Sequence, residues 1–404
     1  MKQGSLSEYF KGIAAKPLSM VEADFSRSHQ HEFNGVGKLK ELFGLDRQEL
    51  KAQFLYFSDD DSEPIQDIGT LTWYDSRINN PKRAPEYRLY FTDTMVTQNM
   101  AAGDLLFIAL KPDHTVLVIV AESESTISQQ LLWLFGLNVN HPGYSVKGEL
   151  ESDQIKLEFT SKYILEKIGI EVKQSDESYL DQMIHKFGTD FPTTTIFSEF
   201  SRSTVSEISA SDLSDEALLA WVEREEILFR TFEKHLLGDR LQKGFYNVDD
   251  FMKLSLSVQN RRKSRAGQSL ENHLAYLFSK RGVSFSRTGA TEGKSKPDFL
   301  FPSIENYHNQ SFLVEHLTML GVKTTCKDRW RQVLSEADRI ERKHLFTLEP
   351  SISENQTDEM QSRSLQLVLP KRLHNTYKES QRNWLFSLEE FLAEVQEKQE
   401  FINQ

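Results

Sequence analysis

The chain has 404 residues with 38% hydrophobic and 27% charged side chains, an ordinary composition for a folded protein and too long for one compact core. A lone cysteine, Cys326, excludes an internal disulfide and a cysteine-built zinc site, and fits a reducing cytoplasm. The net charge of -12, from 48 basic and 60 acidic side chains, argues at first sight against a polyanionic partner.

Residues 1 to 170 read as a mostly β domain. LTWYDSR, EYRLYF, DLLFIAL and HTVLVIVAES are rich in β-branched and aromatic residues and are broken by Pro and Gly. The loop INNPKRAPEY carries Lys82 and Arg83, with Arg77 and Arg88 at its flanks. Ser125 to Leu137 has helical spacing, and no apolar run approaches the roughly 18 residues that span a bilayer. The N-terminus lacks the apolar stretch of a secretion signal.

Residues 171–183 read as a polar linker, and 184–404 as a second domain. Asp212 to Leu237 has helical apolar spacing with Gly238 as its stop, and a further helix covers Val248 to Val258. Helices and strands then alternate: helix Ser269 to Lys280, strand Val283 to Arg287, strand Asp298 to Phe301, strand Met319 to Thr324 and helix Asp328 to Arg342. Strands His344 to Thr347 and Leu365 to Leu369 follow, and helix Leu388 to Phe401 closes the chain. Such alternation predicts an α/β (α+β) domain with a mixed sheet flanked by helices.

Charge is segregated within this domain. Residues 257–297 hold nine Lys/Arg, among them Arg261, Arg262, Lys263 and Arg265, against Glu271 and Glu292 alone. A local basic surface is what a nucleic acid meets, whatever the net charge. In KPDFLFP, Asp298 opens an apolar strand, and Lys323 follows on the strand MLGVKTT. Metal-assisted phosphodiester hydrolysis needs carboxylates to hold Mg2+ and a cation beside the reacting phosphate. The common form of such a centre has an acid two residues before the lysine, and here that position is Gly321. Glu336, off the apolar stripe of the next helix, is the candidate replacement. Glu271, at the edge of the stripe of its own helix, is a further acid. Taken singly, each of these is more often a solvated surface residue than a ligand.

The stretches SVQNRRKSRAGQSLENHLAYLF, TEGKSKPDFLFPS and MLGVKTTCKDRWRQVLSEADRIERKHLFTL, from about Lys243 to Leu348, closely resemble the catalytic domain of EcoRII-type restriction endonucleases. The resemblance implies a PD-(D/E)xK fold with Asp298, Lys323 and Glu336 as the metal and catalytic centre. It further implies Glu271 as an accessory acid, Tyr307 near the active site, and Mg2+ as cofactor. It also implies a homodimer that hydrolyses double-stranded DNA at a target related to CC(A/T)GG. The triplet Lys327-Asp328-Arg329 matches a base-reading triplet, since Arg grips guanine and a carboxylate accepts from cytosine. Arg261, Arg262, Lys263 and Arg265 are then expected on phosphates. YDSR at 74–77 and the basic loop after it resemble a B3-like N-terminal effector domain, which implies DNA contacts from Arg77, Lys82, Arg83 and Arg88. The alternative reading is a DNA-binding regulator whose nuclease fold is catalytically silent.

Overall fold

The computed structural model describes residues 5–23, 31–59, 63–80, 82–139, 143–148, 150, 159–172, 176–205, 213–327 and 329–402. These divide into two compact units, Met1–Val172 with Ser351–Asn355, and Lys173–Pro350 with Gln356–Gln404.

In the first unit, the described residues form one eight-stranded sheet. Its strands are β1 (Gly12–Pro17), β2 (Glu32–Phe33), β3 (Gln48–Phe57), β4 (Ile65–Asp75), β5 (Tyr87–Phe91), β6 (Leu105–Leu110), β7 (Val116–Ala121) and β8 (Ser145–Lys147). Their order is β2-β5-β4-β3-β7-β6-β1-β8, antiparallel except where β3 runs parallel to β7. Strands β6 and β7 are buried along their whole length because both faces of the sheet carry a core. Phe54, Trp73 and Ile108 pack on one face, and Phe57, Phe107 and Ile119 on the other. Helix α1 (Thr126–Phe135) adds Ile127, Leu131 and Phe135 to the second core. The strand-rich reading of this half therefore holds. Its longest apolar alternation outside the segments singled out above, Leu50, Ala52 and Phe54, belongs to the middle strand β3.

The second unit begins with helices. Residues 171–183, read as a linker, contain a 3-10 turn at Glu177–Tyr179 and the start of α2 (Leu180–Phe187). After α3 (Thr194–Ser203), helix α4 runs from Ser214 to Lys243. It passes straight through Gly238 and ends at Gly244, whose φ of 71° is the left-handed stop. A glycine inside a helix costs only about 1 kcal/mol, too little to end one of 30 residues. Helix α5 (Val248–Lys280) joins the two shorter expected helices into one. Nothing between Gln259 and Gln268 breaks it, and Arg265 supplies a buried side chain midway.

Five described strands form the second sheet: β9 (Ser286–Arg287), β10 (Phe299–Phe301), β11 (Thr318–Val322), β12 (Lys343–Phe346) and β13 (Leu365–Val368). Strands β9 to β11 pair antiparallel, and β11 to β13 pair parallel, so the sheet is mixed as the α/β reading requires. Phe278 of α5 and Phe391 of the closing helix α7 (Leu388–Ile402) meet the rings of Phe299 or Phe301 and cover this sheet. The expected helix from Asp328 to Arg342 is shorter: α6 spans Arg329–Leu334. Asp328 lies outside the described residues. Beyond Leu334 the chain turns, and Ala337 takes a φ of 52°, which no helix continues through. Among the described residues, no helix is long and apolar enough to cross a membrane.

Candidate active site

The candidate centre is built where three elements of the second unit meet. Helix α5 buries Leu270, His273, Leu274 and Leu277, so Glu271 stands at the edge of the buried stripe. Asp298 precedes β10, and Lys323 follows β11. Antiparallel pairing of those strands sets them side by side: Asp298 Oδ2 accepts from the Val322 amide at 2.6 Å and from Lys323 Nζ at 3.0 Å. The lysine is 8% exposed, so its ion pair is shielded from water on most sides.

The space at position 321 explains why no acid stands there. A Cβ on Gly321 would lie 2.8 Å from Val333 Cγ2 and 3.0 Å from Cγ1. Helix α6 packs Val333 directly onto the backbone of β11, and only glycine leaves room for it. Three residues beyond Val333 comes Glu336, whose amide donates to the Val333 carbonyl at 3.2 Å. Glu336 therefore lies on the turn after α6 rather than on a helix face. The same packing that removes an acid from the strand carries another toward the strand end.

The electrostatics tie these groups together. Burial is the main cause that pushes the Glu336 carboxyl up to about 7; Asp298 adds to the rise, while Lys323 and Lys343 oppose it. Glu271 is also raised, chiefly by burial and next by Asp298, against the pull of Arg287 and Lys323. Three carboxylates thus share a partly desolvated region with Lys323 and Arg287. Arg287 was not legible as a site residue. From β9 it donates to Glu271 Oε2 at 3.0 Å and to Asn272 Oδ1 at 3.1 Å, which fixes the carboxylate of α5.

The donor set suits a hard divalent cation such as Mg2+. Glu336 Oε2 is buried with no hydrogen-bond partner among the described residues, which is costly unless a cation or proton meets it. Among the described residues, no three His, Cys, Asp or Glu side chains already close around a single point. Lys323 occupies one oxygen of Asp298, so the carboxylates form an open set rather than a finished cage.

Tyr307 is not brought into this cluster. It is 1% exposed, and its hydroxyl donates to Glu292 Oε2 at 2.6 Å. The basic residues of α5 separate in the same way. Arg265 is 8% exposed, faces Glu225 at 3.5 Å and lies 4.7 Å from the rings of both Phe197 and Phe229, so it is a core residue rather than a phosphate contact. Arg262 is bound to the buried Glu233, with Nε at 2.8 Å, and Arg261 stacks on Phe191 at 4.5 Å. Lys263 is exposed. In the triplet, Lys327 is half-buried and Arg329 exposed, with the Arg329 amide donating to the Cys326 carbonyl at 2.7 Å. In the first unit, Arg77 pairs with Glu86, and Arg88 pairs with Glu32 at 3.1 Å and Glu86 at 3.4 Å. Lys82 and Arg83 are exposed.

Comparison with known proteins adds an independent line. Residues 229–392 match the family model described as EcoRII C terminal. The chain is 50% identical over 182 residues to the type II restriction enzyme EcoRII of Escherichia coli, covering 45% of each protein. It is 27% identical over 155 residues to the type II restriction enzyme SsoII of Shigella sonnei, covering 36% of this chain and 49% of that enzyme. The match thus spans about half the length of either relative. Among solved structures, metal-depleted Ecl18kI with uncleaved, modified DNA aligns at 20% identity and a TM-score of 0.47, over 57% of this chain and 87% of that one. The PspGI complex with substrate DNA aligns at 14% identity and a TM-score of 0.44, over 52% and 93%. The matched segment, 229–392, carries Glu271, Asp298, Lys323 and Glu336, so all four lie where the chain is similar to the EcoRII C-terminal family.

Proposed function

We propose that the chain is a Mg2+-dependent, site-specific type II endonuclease that hydrolyses double-stranded DNA. The observation that supports this most directly is the cluster of Asp298, Lys323, Glu336 and Glu271 within a domain matched to the EcoRII C-terminal family. A catalytically silent regulator would be expected to have lost one of these groups, and all four are present. The target is related to CC(A/T)GG, a reading supported by the 50% identity with EcoRII.

Asp298 and Glu336 would hold the cation. When bound, it supplies a Lewis acid for the phosphate and a more acidic water. Lys323, paired with Asp298, presents its side-chain nitrogen to a phosphate oxygen on which negative charge grows. Glu271, held by Arg287, would assist by accepting a proton from water, a role supported by its raised pKa, which makes it a stronger base than an ordinary glutamate. Arg329 and Asp328 would read base edges, and Lys263 would contact a phosphate. A two-fold homodimer suits a symmetric duplex site. The N-terminal strand-rich unit would be a B3-like effector domain that adds DNA recognition through Arg77, Lys82, Arg83 and Arg88.

The test is a set of single variants on duplex oligonucleotides bearing CC(A/T)GG. Asp298→Ala, Lys323→Ala and Glu336→Gln should abolish strand cleavage with Mg2+ while retaining DNA binding in EDTA. Cleavage by Asp298→Ala at the parent rate would sink the assignment.

A further inference from the structure

Glu336 sits on a short turn, and something must hold that turn in place. Ala337, the next residue, has a φ of 52°. A residue with a Cβ is strained there, and such strain persists only where the surroundings over-determine the backbone.

The surroundings here converge from three sides. Glu292, in the loop between β9 and β10, accepts the Asp338 amide at 3.3 Å and the Tyr307 hydroxyl at 2.6 Å on the same oxygen, Oε2. The Tyr307 hydroxyl in turn accepts the Arg339 amide at 3.3 Å. The Arg339 guanidinium donates to the carbonyls of Tyr307, Asn309 at 3.2 Å and Phe312 at 3.1 Å. The amides of two consecutive residues just after Ala337 are thereby fastened to one glutamate and one tyrosine. Lys343 Nζ closes the far end of the turn on the Ile340 carbonyl at 2.8 Å. Partial desolvation works against the charge on Glu292, yet the bonds from Tyr307, from its own amide and from the Asp338 amide, together with the nearby His308, outweigh it and hold the carboxyl below its ordinary value. The carboxylate stays ionised and its hydrogen bonds are charge-assisted.

We infer that Glu292, Tyr307 and Arg339 form a clasp that positions Glu336 for the metal, a role that rests on the metal-centre reading above. An acid on a strand is held by the sheet; an acid displaced onto a turn is not, and the clasp replaces that support. All three are positioning residues: none is itself placed among the reacting groups. Tyr307 therefore acts at one remove, through the backbone of the turn.

Calorimetric titration of the full chain with Mn2+ tests this, beside unfolding temperatures of the metal-free proteins. Glu292→Gln and Tyr307→Phe should each weaken Mn2+ binding roughly tenfold, the usual loss when an outer support of a metal ligand is removed. DNA affinity in EDTA should stay within about twofold of the parent, since Glu292 makes no contact proposed for DNA. Adding Ala337→Gly to Glu292→Gln should restore most of the Mn2+ affinity, because glycine holds a positive φ without outside help. Parental Mn2+ affinity in both single variants, or a lowered unfolding temperature with unchanged Mn2+ affinity, would overturn the inference. Unchanged Mn2+ binding by Asp298→Ala would instead overturn the metal-centre reading itself.

Discussion

Gly321→Ala adds one methyl group where the structure leaves no room for it. The new Cβ would stand 2.8 Å and 3.0 Å from the two terminal carbons of Val333, a fully buried side chain. Real carbon contacts settle near 3.5 to 4.0 Å. Strand β11 is hydrogen-bonded on both sides, to β10 and to β12, so the strain falls on α6 and on the turn that carries Glu336. Overpacking of this kind costs about 1–3 kcal/mol. Urea unfolding should show that loss at an unchanged m-value. Val333→Ala alone should cost about 0.5–3 kcal/mol as a cavity, but combined with Gly321→Ala it should relieve the clash. The double variant should then be more stable than the sum of the singles predicts, by about 0.5–3 kcal/mol of coupling. Gly321→Asp, which writes the common acid back into the strand, should bind Mn2+ more weakly than the parent. A neutral Gly321→Ala, strictly additive singles, or stronger metal binding by Gly321→Asp would refute the steric account of the displaced acid.

Three further outcomes follow from the site. Because the Glu336 carboxyl titrates at about 7, protons compete with the metal: Mn2+ affinity should fall up to tenfold per pH unit below 7, and level off above it. The sign for stability is the reverse. A carboxyl raised in the folded state binds more protons there than in the unfolded chain, so the contribution of Glu336 to the stability of the metal-free protein should fall as pH rises through the range from about 4.5 to 7. Glu336→Gln should remove its share of the slope in denaturant titrations, leaving the share of Glu271 and Asp215, and an unchanged slope would count against the assignment. On α5, Lys263→Ala should lower the salt slope of DNA binding by about one. Arg265→Ala should instead destabilise the fold by about 2–5 kcal/mol, because it leaves a cavity beside Phe197 and Phe229 and takes one cationic neighbour from the buried Glu225, which still faces His273 at 2.9 Å; a DNA-binding defect at parental stability would contradict its placement in the core.

The strands of the centre were legible because Phe299–Phe301 and Thr318–Val322 are continuous apolar runs, and buried strands of a two-sided sheet look like that. Asp298 and Lys323 were legible for the same reason, since each flanks such a run. Glu336 was singled out on a helical face that the chain does not form. What shortens the helix is the positive φ of Ala337, held by Glu292 and Tyr307 from another part of the chain, and no local pattern encodes it. Arg265 looked like its neighbours Arg261 to Lys263. Its burial depends on Glu225, Phe197 and Phe229, supplied by helices about 35 to 70 residues away. Arg287 and Glu292 were missed likewise, because each works through a partner that only the tertiary fold brings near.

The account stands most directly on cleavage itself. Purified protein is incubated with unmethylated phage DNA, with Mg2+ or with EDTA, and the products are separated on a gel and their ends sequenced. Discrete fragments with Mg2+ alone, ending at sites related to CC(A/T)GG and absent for Asp298→Ala, are the predicted result. Fragments that persist in EDTA, or that Asp298→Ala produces equally well, would contradict a Mg2+-dependent centre at Asp298, Lys323 and Glu336.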